Sequence, residues 1–194
     1  MRILLHTCCA PCLIAPFESL GSKGYQVTAF FHNPNVMPYR EFRARVAAFK
    51  EYTAANHIPA ICDEVYSLEP TLRYLLERIT DSRCRACYDM RLLKTAQTAV
   101  EKGYDSFTTT LLVSPYQNHK AICDAATAAA DKFGVRFHYA DWRPLFAKSH
   151  EEASSKKLYM QSYCGCIFSE EERFRPSLRK KKAKSRPKEE VCAC

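Results

Sequence analysis

The chain predicts an α/β fold, a Rossmann-like parallel sheet of about five strands flanked by helices. Two observations carry this. Short apolar runs of strand length alternate, through most of the sequence, with stretches whose apolar residues recur at helical spacing. Polar segments follow the first, second and fourth of those runs, as expected where parallel strands end at a ligand-binding edge.

Arg2–His6 is the first apolar run and ends at Thr7-Cys8-Cys9. After Pro11 and Pro16 the sequence predicts only a brief helix, from Phe17 to near Gly21. Gln26–Phe31 is the second strand, closed by Asn33-Pro34-Asn35. Phe42, Val46 and Phe49 fall at i, i+4 and i+7, which predicts a helix over Glu41–Asn56. Ala60–Cys62 reads as a third strand, and Leu68, Leu72, Leu75, Leu76 and Ile79 mark a second amphipathic helix. Helical spacing resumes from about Tyr88 to Lys102 and stops at Gly103. Ser106–Thr110 is the fourth strand, Asn118–Phe133 an alanine-rich helix with Asn118 as its cap, and Val135–Tyr139 the fifth strand. In this arrangement Cys8, Cys9 and Cys12, His32 and Asn33, and Thr110 to Gln117 converge at one edge of the sheet.

Hydrophobic content of 47% is enough for a packed core, so residues 1–176 read as one catalytic domain. No long apolar run is present, so no membrane partner is expected. Met1–His6 is too short for a signal peptide, which points to the cytoplasm. The net charge of +8 is uneven: the last 18 residues, 177–194, carry seven Lys/Arg and two Glu. That segment reads as a mobile basic arm, able to neutralise nucleic-acid phosphates or to serve only as a solubilising terminus.

Eleven cysteines cannot all pair within one chain, and cytosolic thiols stay reduced, so metal binding or redox chemistry is the leading account of them. Seven fall in three clusters: Cys8, Cys9 and Cys12 in HTCCAPC, Cys84 and Cys87 in RCRACY, Cys164 and Cys166 in YCGC. Any one pair alone fits a structural zinc or a buried thiol. Seven exceed the four ligands of one tetrahedral zinc, and suffice for a four-cysteine iron–sulfur cluster with three left for a second metal. Soft thiolates suit zinc, copper(I) or iron–sulfur centres, so residue type alone does not choose among them. Adjacent side chains alternate in extended backbone, which predicts that Cys8 and Cys9 face opposite ways and serve two neighbouring centres.

Cys62 and Cys123 read as core thiols, Cys192 and Cys194 as incidental, and His6 as a core histidine. Tyr116 and Gln117 lie in a polar loop of hydroxyls and an amide after the fourth strand. Tyr88, Asp89 and Arg91 flank the second cysteine pair; Arg91 suits either a surface helix position or a phosphate contact. Asp141, Trp142 and Arg143 fit an ordinary turn or part of a pocket.

HTCCAPC, RCRACYDMRL, TTLLVSPYQNH and LYMQSYCGCIFSEEER, in that order over about the first 175 residues, together resemble the QueH family of epoxyqueuosine reductases. The resemblance implies a fold of the adenine-nucleotide alpha-hydrolase type. It also implies a tRNA-modifying reductase that removes the epoxide oxygen of epoxyqueuosine at the wobble position of the anticodon. The implied cofactors are a 4Fe–4S cluster and an adjacent mononuclear metal, iron or, with cysteine at position 12 where relatives can carry aspartate, zinc. The expected assignment puts Cys9, Cys84, Cys87 and one of Cys164 and Cys166 on the cluster, with Cys8, Cys12 and the other on the single metal. Cys8, Cys12, Tyr116 and Gln117 are the expected catalytic group. The partners implied are the tRNA anticodon arm and an external low-potential electron donor.

Two other classes compete. A zinc-stabilised RNA-binding module without chemistry leaves the third thiol cluster unused. A nucleotide-hydrolysing enzyme of the same sheet type needs a phosphate loop rich in glycine after strand one, where Cys8-Cys9-Ala10-Pro11-Cys12 stands instead and proline lacks an N–H. A thioredoxin-like dithiol site is also disfavoured, because Cys84-Arg85-Ala86-Cys87 does not follow a strand.

Overall fold

The computed structural model describes residues 1–78 and 82–175. Ile79 and the basic arm, with Cys192 and Cys194, lie outside the described residues. Five strands, β1 (Arg2–His6), β2 (Gln26–Phe31), β3 (Ala60–Cys62), β4 (Ser106–Thr109) and β5 (Arg136–Phe137), form one sheet in the order β3-β2-β1-β4-β5. Every neighbouring pair is parallel. β1 is central, with Leu5 opposite Ala29 on one side and Thr108 on the other. Ile3, Leu4 and Leu5 are all buried, because helices cover both faces of a parallel sheet and leave a central strand no polar side.

The α-helices are α1 (Ala10–Ser22), α2 (Tyr39–Ala55), α3 (Leu68–Glu77), α4 (Arg83–Glu101), α5 (His119–Phe133), α6 (Phe146–Ser155) and α7 (Ile167–Phe174). Four differ from expectation, α1, α4, α6 and α7. α1 begins at Ala10, well before Phe17. Pro11 falls in the first turn, where the N–H has no helical partner to lose, and Pro16 is carried inside the helix. Pro16 interrupts the ladder, and Ser149 of α6 enters it: its hydroxyl donates to the Pro11 carbonyl at 2.7 Å and accepts from the Ala15 N–H at 3.4 Å. Burial of Leu13, Ile14 and Leu20 offsets the lost hydrogen bond.

α4 begins at Arg83, not near Tyr88, so Cys84 and Cys87 occupy its first turns. Ser82 caps it by accepting from the Arg85 N–H. α6 and α7 are absent from the sequence expectation. The fourth strand stops at Thr109 and passes into a 3-10 turn, Thr110–Val113, in which the Thr109 hydroxyl accepts from Leu111. β5 spans only Arg136–Phe137, shorter than Val135–Tyr139, because it is an edge strand that pairs only with Ser106 and Phe107 of β4. No helix among the described residues is long and apolar enough to cross a membrane.

Candidate metal centre

β1 delivers Thr7-Cys8 to the carboxyl edge of the sheet, and the chain turns at Cys9 into α1. Cys9 is the N-cap residue and Cys12 lies one turn on. Cys8 Sγ and Cys9 Sγ are 3.8 Å apart, and the three sulfurs of Cys8, Cys9 and Cys12 lie within 4.8 Å of one another. The adjacent cysteines therefore do not face opposite ways: extended geometry ends at the cap, and the helix turn brings Cys12 back beneath them. Three sulfurs at this spacing match one small ion, since sulfurs bound at about 2.3 Å around a tetrahedral centre stand roughly 3.8 Å apart.

Hydrogen bonds to sulfur fix this triad. The Thr110 hydroxyl donates to Cys8 Sγ at 3.3 Å while accepting from the Cys8 N–H at 3.0 Å. The Gln161 amide donates to Cys9 Sγ at 2.8 Å. Cys8 is the favoured thiolate, its pKa held well below the usual thiol value by hydrogen bonds from Cys12 and Cys9 and then Thr110. Cys12 moves the other way because it gives its proton toward Cys8, and burial raises Cys9.

The other four thiols face a second concavity beside the triad, between α4 and the 164–168 segment. Cys84, Cys87, Cys164 and Cys166 line it with Arg83, Tyr88, Arg91, Gln117 and Phe168. Among the described residues only the triad brings three donor atoms within 4.8 Å of one another, so no three of these four sulfurs meet that spacing. Burial pushes the Cys87 thiol up to about 12, with Arg91 acting against it. Gln117 joins the walls: its amide oxygen accepts from the Tyr88 hydroxyl at 2.7 Å and its N–H donates to Cys164 Sγ at 3.3 Å.

The Cys164-Gly165-Cys166 loop is held from below by Arg45 of α2. Arg45 is buried, pairs with Glu41 at 2.7 Å, and donates to the carbonyls of Tyr163 and Cys164 at 2.9 Å each. The Tyr159 hydroxyl donates to the second oxygen of Glu41. Gly165 has φ +130°, and a Cβ there would stand 3.0 Å from Arg45 Nη1 and 3.1 Å from Val36 Cγ2, so only glycine fits. The loop is also stitched to the segment before α2, with the Met37 N–H donating to Gly165 O and the Tyr163 hydroxyl to Met37 O, both at 2.7 Å.

The remaining expected residues divide. His6 is a core residue: Nδ1 meets the Thr109 hydroxyl at 2.8 Å and Nε2 the His32 carbonyl at 3.3 Å. His32 pairs with Asp63 at 2.7 Å. Asn33 is buried and donates to Thr7 O at 2.8 Å, while its Oδ1 has no hydrogen-bond partner. Tyr116 projects its ring, 69% exposed, beside Phe146, whose ring lies tilted against His150 with centroids 4.1 Å apart. Arg91 is buried, which excludes a surface helix position. Asp141 and Arg143 pair with each other and Trp142 packs with its indole N–H on Ser19, so that turn lies outside the concavity. Cys123 is buried and Cys62 only half-buried.

Arg45, Gln161 and His150 are the site residues that sequence reasoning missed. Arg45 sits among exposed charges of an amphipathic helix and carries no local signal. Gln161 stood in the same motif as Cys164 and was within reach.

A family model described as Epoxyqueuosine reductase QueH matches residues 3–172. A protein named Epoxyqueuosine reductase QueH from Dehalococcoides mccartyi is 37% identical over 173 residues, covering 89% of this chain and 94% of that protein. One of the same name from Thermotoga maritima is 34% identical over 178 residues, 86% and 89% of the two chains. A solved deacetylase from teicoplanin biosynthesis overlays with a TM-score of 0.42 at 12% identity, over 71% of this chain and 62% of its own.

Proposed function

The chain belongs to the QueH family of epoxyqueuosine reductases, and from that premise we propose that it converts epoxyqueuosine to queuosine in tRNA by reductive removal of the epoxide oxygen. The observation that carries this is the division of seven thiols into a triad at single-ion spacing and four that line one concavity. We assign Cys84, Cys87, Cys164 and Cys166 to a 4Fe–4S cluster and Cys8, Cys9 and Cys12 to a mononuclear metal, iron or zinc. This moves Cys9 from the cluster, where the sequence expectation put it, to the single metal, and puts both Cys164 and Cys166 on the cluster. When bound, the cluster supplies electrons one at a time and the single metal polarises the epoxide oxygen.

Loss of the oxygen as water takes two electrons, from an external low-potential donor, and two protons. The chain's own part is to hold, orient and exclude. Thr110, Gln161 and Gln117 donate to the sulfurs of Cys8, Cys9 and Cys164 and so orient them. Burial keeps the proton on Tyr88 Oη, which holds Gln117 in place. The exposed Tyr116 ring, backed by Phe146, offers a face on which an unstacked base can lie. The arm over 177–194 belongs to the same reading as a phosphate contact outside the catalytic domain, 1–176.

Anoxic purification with assay of iron, acid-labile sulfide and zinc per chain tests the assignment. A brown protein with about four sulfides, four irons and one further metal ion is expected. Colourless protein holding only zinc, even after cluster reconstitution, sinks it in favour of a zinc-stabilised RNA-binding module.

A further inference from the structure

Arg91 is 1% exposed, one turn beyond Cys87 on α4, and lines the concavity of the four thiols. Its Nε donates to the Cys87 carbonyl, four residues back on the same helix, at 3.1 Å, and its Nη2 has no hydrogen-bond partner. Among the described residues no carboxylate makes a salt bridge to it, whereas the neighbouring guanidiniums of Arg83 and Arg45 pair with Glu172 and Glu41. The Tyr88 ring lies 5.8 Å from its guanidinium carbon, and a ring face offsets only part of the cost of burying a charge. A guanidinium stays charged in proteins, so the missing anion is supplied by something else. An iron–sulfur centre ligated by thiolates is net anionic, and one unit more so after each electron it accepts.

We propose that Arg91 is the buried counter-cation of the centre held by Cys84, Cys87, Cys164 and Cys166, with Nη2 available to that centre's sulfur, and that its charge raises the centre's reduction potential. The inference rests on the cluster assignment above and adds a role for a residue outside the thiol set. Its electrostatics are consistent: burial works against the charge, and Cys87, Cys164 and Cys8 outweigh it, so the Arg91 pKa stays above its ordinary value. A positive charge next to the centre stabilises the reduced form more than the oxidised one, since the reduced form carries the extra negative charge.

The test is a redox titration, followed by the reduced-cluster electron paramagnetic resonance signal, of the full-length iron-loaded wild type, Arg91→Met and Arg91→Lys. Arg91→Met keeps the bulk and removes the charge, and its midpoint is expected at more negative potential; Arg91→Lys keeps the charge and is expected near wild type. An Arg91→Met midpoint equal to wild type overturns the proposal while leaving the reductase reading intact. A wild type that takes up no redox-active cluster overturns both. Thermal unfolding of the metal-free full chain covers a variant that does not load. Arg91→Met at least as stable as wild type without metal, yet unable to hold the cluster, supports the counter-cation role. An Arg91→Met chain that fails to fold without metal shows a structural role independent of any bound anion, and overturns it.

Discussion

Arg45 in α2 donates to the carbonyl oxygen of Cys164 at 2.9 Å, joining the sheet-packed core to a cysteine-bearing loop 119 positions away in sequence. The same guanidinium is paired with Glu41, and both are buried. The packing of α2 thus dictates where the Cys164–Cys166 segment stands.

Removing that cation leaves Glu41 buried with only the Tyr159 hydroxyl against it. Arg45→Met is expected to cost about 3–5 kcal/mol of unfolding free energy, measured by urea denaturation of the metal-free chain. Arg45→Met combined with Glu41→Gln should recover a large part of it, because the uncompensated charge is gone. A single-variant loss under about 1 kcal/mol contradicts this view of the pair.

Gly165→Ala places a methyl group against Arg45 and Val36 at a φ of +130°. The strain is expected to cost about 1–3 kcal/mol and to displace Cys164 and Cys166. Iron and sulfide per chain should fall together, while binding at Cys8, Cys9 and Cys12 persists. Unchanged sulfide content speaks against the loop as part of the cluster site.

Tyr116 is exposed and does not line the concavity of the four thiols, so its loss should spare the metals. Tyr116→Ala is expected to raise KM for tRNA with little change in kcat, by the roughly 1–3 kcal/mol that stacking one base is worth. An unaltered KM removes Tyr116 from the substrate site.

His6 is neutral and buried, with a pKa lowered from 6.5 to about 3 by burial and the nearby Arg91. Its folded pKa lies below its unfolded one, so between these values the unfolded chain binds a proton that the folded chain refuses. Stability therefore falls as pH drops from about 6.5 toward 3, by up to about 1.4 kcal/mol per pH unit from this group. His32, also lowered by burial, acts in the same sense. His6→Asn should unfold with a shallower dependence on pH over that window, read from urea midpoints; an identical slope shows that His6 does not set it.

The five strands were legible because a parallel sheet imposes continuous apolar runs and helical intervals that a sequence displays directly. The segments Arg2–His6, Gln26–Phe31 and Ala60–Cys62 coincide with β1, β2 and β3. Helix starts were less so. Pro11 and Pro16 suggested a loop where α1 runs, since the repair by Ser149 comes from a helix 138 positions away from Pro11. Cys84 and Cys87 were placed ahead of a helix starting near Tyr88 and are in the first turns of α4, for which Ser82 was the available signal. The thiol clusters themselves stood out, but their grouping did not. Alternation along a strand put Cys8 and Cys9 apart, and only the cap at Cys9 brings their sulfurs to 3.8 Å. Arg45 could not be found from pattern, and Arg91 stood out beside the second cysteine pair only as a surface or phosphate-binding residue, because burial of a guanidinium is decided by contacts distant in sequence.

Conversion of the substrate tests the central claim most directly. Iron-loaded full-length protein, reduced anoxically with a low-potential donor, is incubated with tRNA carrying epoxyqueuosine, and the digested nucleosides are weighed by mass spectrometry. The account predicts loss of one oxygen to give queuosine, abolished by Cys84→Ser and by Cys8→Ser alike. Epoxyqueuosine recovered intact, or opened by water to a diol, from protein shown to hold its reduced cluster contradicts it.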